Sequence, residues 1–188
     1  EAGPPLDLAG ATDLGIVFGI HKHFELEPTP ENVARYLSVY QTRLDWNLAH
    51  GGFPGRVIDG ATSLLEHLTD RGHSTIGLVT GNTAGGAASK VRHFGLASYF
   101  AFGAYGCDHH DRNELGPIAL ERAATHAGRR FSSEETWIIG DTPKDIACAK
   151  AIGARCLAVA TGHFTADALK AHGADRVVES LEEAVGGI

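Results

Sequence analysis

Cysteine is scarce in this chain of 188 residues, which has three, at Cys107, Cys148 and Cys156. They form no C-x-x-C pair and are odd in number, which leaves reduced thiols rather than a disulfide framework. A long apolar run is also missing. No stretch approaches the roughly 20 residues that span a bilayer, and "EAGPPLDLAG" has neither the basic start nor the apolar centre of a signal peptide. Both absences point to a cytoplasmic protein with no membrane partner. Basic clusters are lacking too: 16 Lys and Arg stand against 23 Asp and Glu, for a net charge of −7. That balance excludes a nucleic-acid partner, whose phosphates need clustered cations. It leaves room for a small anionic ligand wherever positive charge is concentrated locally.

What is present is an ordinary globular composition, 43% apolar and 21% charged, at a length that suits one α/β domain with a small appendage. From Leu6 to about Pro54 the pattern is helical. "TPENVARYLSVYQTRLDWNL" offers Thr29 as a cap, Pro30 in the first turn and Glu31 after it, then Val33, Leu37, Tyr40 and Leu44 at helical spacing. "HKH" at 21–23 reads as a solvated polar segment. "GGFPGR" then breaks the chain and is a candidate hinge.

Beyond the break the texture alternates. A short helix over "DGATSLLEHLTDRG" leads to the apolar strand "STIGLVT", and strands at "YFAFGAYG", "ETWIIGD", "RCLAVATG" and "DRVVES" follow, separated by helices. Apolar strands alternating with helices predict a parallel sheet covered on both faces. In such sheets ligands bind beyond the carboxyl ends of the strands. The residues to watch are therefore Thr80, Gly81 and Asn82 after one strand, Asp108 to Asp111 after the next, and Asp141 to Asp145 after the third.

Two of these turns carry chemistry. Asp141 and Asp145 place two carboxylates at one strand end, which makes sense beside a hard cation such as Mg²⁺; the ordinary alternative is a turn cap and an acid at a helix N-terminus. "LVTGNT" joins a Thr hydroxyl to consecutive backbone N–H groups at the start of a helix, a neutral cradle for phosphate oxygens. Its spacing fits neither a P-loop nor a dinucleotide fingerprint.

Together, "LVTGN" at 78–82 and "IIGDTPKDIACAKAIGA" at 138–154 resemble the second and fourth motifs of the haloacid dehalogenase (HAD) superfamily, in the flavour of its phosphoglycolate-phosphatase-like branch. The resemblance covers residues 57–188. It implies a Rossmann-like α/β core over 57–188, a small helical cap over 1–56, and Mg²⁺-dependent hydrolysis of a small phosphorylated metabolite through an aspartyl-phosphate. Thr80, with Gly81 and Asn82, would bind the phosphoryl group; Asp141 would bind the metal and Asp145 would support it. Thr12 and Asp13 would face the site from the cap.

Two departures qualify the pattern. The lysine of the family's third motif is absent from "DHHDRNELGPIALERA", where Arg112 is the substitute and His110 the runner-up. The first motif, D-x-D-x-[TV], which carries the nucleophile, is also absent. "DLAGAT" at 7–12 is the nearest match, but its second acid is Ala9. The first strand and its aspartate are therefore expected in a segment ahead of Glu1. Two other readings stay open. A dehalogenase proper needs no metal, so the acidic turn counts against it. A domain that only binds a phosphorylated ligand or a protein partner follows if the polypeptide starts at Glu1.

Overall fold

The computed structural model describes residues 8–52 and 54–187. Asp7 of the "DLAGAT" match and Phe53 of the candidate hinge lie outside them. Two helices come first, α1 (Asp13–His23) and α2 (Pro30–Ala49). The side chain of Thr29 accepts from the Asn32 N–H at 3.2 Å, and Pro30 opens α2, whose missing N–H has no helical partner to lose. Leu44 and Leu48 bury its inner face, and Gln41 reaches across to Ser89 on the helix it packs against. One expectation fails here. His21 is buried rather than solvated, with Nδ1 on the carbonyl of Val17 at 2.8 Å, because α1 turns that flank inward.

The alternation follows: α3 (Ala61–Asp70), β1 (Gly77–Thr80), α4 (Ala84–His93), β2 (Phe102–Tyr105), α5 (Leu115–Ala127), β3 (Trp137–Gly140), α6 (Pro143–Ala151), β4 (Arg155–Val159), α7 (Ala166–Ala171) and β5 (Arg176–Val178). The strands are shorter than their apolar runs. β1 starts at Gly77, which is in register with Phe102, and the chain ahead of Phe102 is taken up by a 3₁₀ turn at Ala97–Tyr99. Ser74 to Ile76 therefore have no strand to pair with there.

All strand pairs are parallel, which bears out the α/β reading. Among the described residues, however, the strands form two sheets: β1 with β2, and β3 with β4 and β5 in that order. β4 shows what a central parallel strand looks like. Its Leu157 and Val159 pack with Leu64 of α3 and Val178 on one face, while Cys156 and Ala158 pack with Ile146 and Leu169 on the other. Alternate residues thus fill both layers, and Cys156 to Val159 are all buried.

β1 and β3 differ from this. β1 is only half-buried at each of its positions, and Ile139 of β3 is 38% exposed. Among the described residues no strand lies between them. Instead Leu78, Val79, Ile138 and Ile139, with Leu64 and Leu68 of α3, line one part of a cavity of about 680 Å³ whose rim also carries Arg71 and Glu135.

Candidate active site

At the end of β1 the chain turns through Thr80, Gly81 and Asn82 into α4, whose N-cap Thr83 accepts from the Gly86 N–H at 3.1 Å. The Thr80 hydroxyl oxygen accepts twice from Asn82, from its backbone N–H at 3.2 Å and from its side-chain amide at 2.8 Å. The amide oxygen of Asn82 in turn accepts from the Lys90 ammonium at 2.5 Å. Gly81 has no alternative residue. A Cβ there would run into the carbonyl of Ala11, which crosses directly above the turn.

That crossing is the start of α1. Asp13 and Leu14 donate their N–H groups to the carbonyls of Gly81, at 2.6 Å, and Gly106, at 3.3 Å. The Asp13 carboxylate accepts from the Thr83 N–H at 2.7 Å, and Thr12 donates to the carbonyl of His110 at 2.6 Å. Residues 10–13 therefore strap the β1 and β2 turns from outside. Burial raises the pKa of Asp13, against the pull of the Thr83 N–H and of Lys90. Burial lowers that of Lys90 while Asp13 holds it up. Tyr40 of α2 is pushed up to about 12, by burial and by the Asp13 carboxylate. A half-buried cation, carboxylate and phenol thus converge above the β1 turn.

At the end of β3, Asp145 is buried and both of its oxygens are committed. One accepts from the Thr142 N–H at 3.0 Å and the Thr142 hydroxyl at 2.8 Å, closing the start of α6. The other accepts from the Arg112 guanidinium at 2.5 Å. The Arg112 side chain is 12% exposed, so it does not lie on the surface beside Asp111 or Glu114. It also reaches the carbonyl of Gly10 at 3.5 Å, and among the described residues its buried Nε has no partner. Asp141 sits half-buried at the mouth of the same turn, where Gly162 leaves room for its carboxylate. Burial and the Asp145 carboxylate raise its pKa, against Arg112 and His163.

The expected residues therefore fall into two groups, Thr80, Gly81 and Asn82 with Lys90 and Asp13, and Asp141 and Asp145 with Arg112. The strap links them, through Gly10 to Arg112 and through Asp13 to Gly81. Of the candidates for the missing lysine, Arg112 joins the second group. His110 contributes its carbonyl, while its ring stacks on His109. Asp108 turns away to a bidentate pair with Arg122, at 2.6 and 3.0 Å. Asp111 caps the short turn at Arg112–Glu114.

Residues 113–184 match the HAD-hydrolase-like family model. Over 136 residues the chain is 31% identical to the probable phosphatase IndB of Dickeya dadantii (strain 3937), covering 71% of this chain and 56% of that one. The chain belongs to the haloacid dehalogenase superfamily. It is 30% identical over 122 residues to a 5'-nucleotidase of Pseudomonas aeruginosa, covering 65% of this chain and 53% of that one. It thus spans about half the length of the curated relatives it matches. In fold it is similar to a mutant of CbbY of Rhodobacter sphaeroides in complex with xylulose-(1,5)bisphosphate, at TM-score 0.72 and 19% identity, covering 94% of this chain and 76% of that one.

Phosphatases of the HAD superfamily generally use Mg²⁺. Among the described residues no group of three or more His, Cys, Asp or Glu is placed to hold a metal. At the β3 turn, Asp141 offers a hard oxygen that burial and the Asp145 carboxylate disfavour as an uncompensated charge, and that fits an ion that keeps several waters. Asp145 does not fit as a direct ligand, since both of its oxygens are taken. The sequence pattern marks none of Lys90, Tyr40 and Gly162 as a site residue, and Tyr40 reads there only as part of a helix face. Lys90 looks there like a cation closing a helix, and only the docking of α1 and α2 turns it toward the site.

Proposed function

We propose that this chain forms most of a Mg²⁺-dependent phosphatase that hydrolyses a small-molecule phosphate monoester, in the manner of the phosphoglycolate-phosphatase-like branch. The observation that carries the reading is Arg112, a buried guanidinium paired on one side with Asp145, whose buried Nε has no acceptor among the described residues. A buried donor left unmade is costly, and a phosphoryl oxygen is the acceptor that such a group serves best. The Thr80 turn and Asp141 supply what else phosphoryl transfer needs, namely positioning and a place for the cation that neutralises developing charge.

In this reading residues 1–56 act as the cap over a core of residues 57–188. The nucleophilic aspartate would come from a further strand beside β1 and β3, which the described residues do not supply. Its carboxylate oxygen would bond to phosphorus as the bond to the substrate's alcohol oxygen breaks, and the alcohol oxygen would take a proton from solvent as it leaves. Water would then bond to phosphorus as the bond to the aspartate oxygen breaks, releasing orthophosphate, restoring the carboxylate and returning a proton to solvent. The support for the added strand is the cavity that β1 and β3 line with Leu78, Val79, Ile138 and Ile139.

A chain extended at its N-terminus should release phosphate from p-nitrophenyl phosphate only with Mg²⁺, and Asp141→Asn should abolish the release. Metal-independent release that survives Asp141→Asn would remove the proposal. The alternative, a domain that binds a phosphorylated ligand without chemistry, predicts phosphate binding but no turnover in the same extended chain.

A further inference from the structure

Lys90 has a role that neither the motif nor the comparisons assign, and it follows from counting hydrogens around Thr80. An amide presents an oxygen and an NH₂ of nearly the same size, so its orientation is set by its partners. A lysine ammonium only donates. With Lys90 on the amide oxygen of Asn82, at 2.5 Å, the NH₂ of Asn82 is left facing the Thr80 hydroxyl oxygen at 2.8 Å. That oxygen also accepts the backbone N–H of Asn82 at 3.2 Å. Both of its lone pairs are then used, and its single hydrogen must point away from Asn82. Among the described residues no acceptor is bonded to it.

We infer that Lys90 is a positioning residue: by locking the Asn82 amide it forces the Thr80 hydroxyl to donate outward, to an oxygen of the bound phosphoryl group. The inference rests on the proposed phosphate site at this turn. Without the ammonium the amide can turn over. Its oxygen then faces Thr80, whose hydrogen is drawn inward to Asn82 and lost to the ligand. The half-buried setting of Lys90 between α4 and the start of α1 suits this task, since the ammonium is held on the amide rather than swinging in solvent.

The test uses orthophosphate as the probe, titrated into the 188-residue chain by calorimetry. The variants are Lys90→Met, Thr80→Val, the two combined, and Lys90→Arg, each checked for an unchanged melting temperature. Loss of one hydrogen bond to a charged acceptor predicts about tenfold weaker binding in Lys90→Met, and Lys90→Arg should restore much of it. In the Thr80→Val background Lys90→Met should have no further effect, because Lys90 acts through the hydroxyl. An undiminished tenfold loss in that background means Lys90 touches phosphate itself and overturns the inference. So does wild-type affinity in Lys90→Met. A wild-type chain that binds no orthophosphate overturns the phosphate site along with it, whereas binding that Thr80→Val weakens and Lys90→Met does not overturns the role of Lys90 alone. A second reading needs no ligand: the side-chain amide resonances of Asn82 should be sharp and single in the wild type and exchange-broadened in Lys90→Met. Identical spectra would also overturn the inference.

Discussion

Asp145→Ala is the sharpest perturbation of the β3 turn, because it cuts two interactions with one substitution. The Asp145 and Arg112 side chains are 6% and 12% exposed, so removing the carboxylate strands a guanidinium with little access to water. Breaking a buried pair from one side costs about 3–5 kcal/mol. Losing the cap on α6 adds about 1 kcal/mol. The expected total, about 4–6 kcal/mol, is a large part of the roughly 5–15 kcal/mol that holds a domain folded. With a urea slope of about 2 kcal/mol/M, the unfolding midpoint should fall by about 2–3 M. Asp145→Asn keeps an acceptor for Thr142 and should lose less. Arg112→Met added to Asp145→Ala should recover stability, since the stranded charge is gone. A loss below about 1 kcal/mol for Asp145→Ala, the scale of an exposed pair, would refute the reasoning that Arg112 is held in the interior by this carboxylate.

The Asp108–Arg122 pair predicts a response to acid. The Arg122 guanidinium holds the Asp108 carboxyl below the usual range, with help from the Tyr105 N–H and against burial. A depressed folded pKa gives stability that is complete above the ordinary carboxylate value, about 4, and lost as pH falls through the lowered one. Urea midpoints of wild type should therefore fall toward those of Asp108→Asn as the pH drops from about 5 to 2, and parallel curves would contradict the pairing. Gly81→Ala should be far more damaging than its size suggests, since its methyl meets the Ala11 carbonyl. Proteolysis should then cut the strap at residues 8–12 faster than in wild type, and an unchanged rate would show that the strap does not rest on this turn.

Much of the architecture is legible in the sequence because its signals are local. Thr29 and Pro30 mark the start of α2 through a cap and a missing N–H, and the apolar runs mark each strand of the second half. Strand ends are less legible, since Ser74 to Ile76 continue the same run as Gly77 to Thr80 and only the register with Phe102 separates them. At the site, Thr80, Asn82, Asp141 and Asp145 stand out because each follows a strand. Arg112 stands out because a charge is needed where the lysine is absent. Asp108 stands out equally but is claimed by Arg122 from the middle of α5, a contact that no spacing reveals. Lys90 and Tyr40 stay hidden for the same reason, as their meeting with Asp13 depends on how α1 and α2 settle across α4.

On the proposed function, the β1 turn and the β3 turn form one site, with phosphate on Thr80 and Asn82 and a cation on Asp141. Two ligands that share a site must change each other's affinity by the same factor. Calorimetric titration of orthophosphate with and without Mg²⁺, and of Mg²⁺ with and without orthophosphate, measures that factor directly. A shared site should give mutual tightening of about tenfold or more that disappears in Asp141→Asn, and two ligands that bind without regard to one another would mean two separate sites.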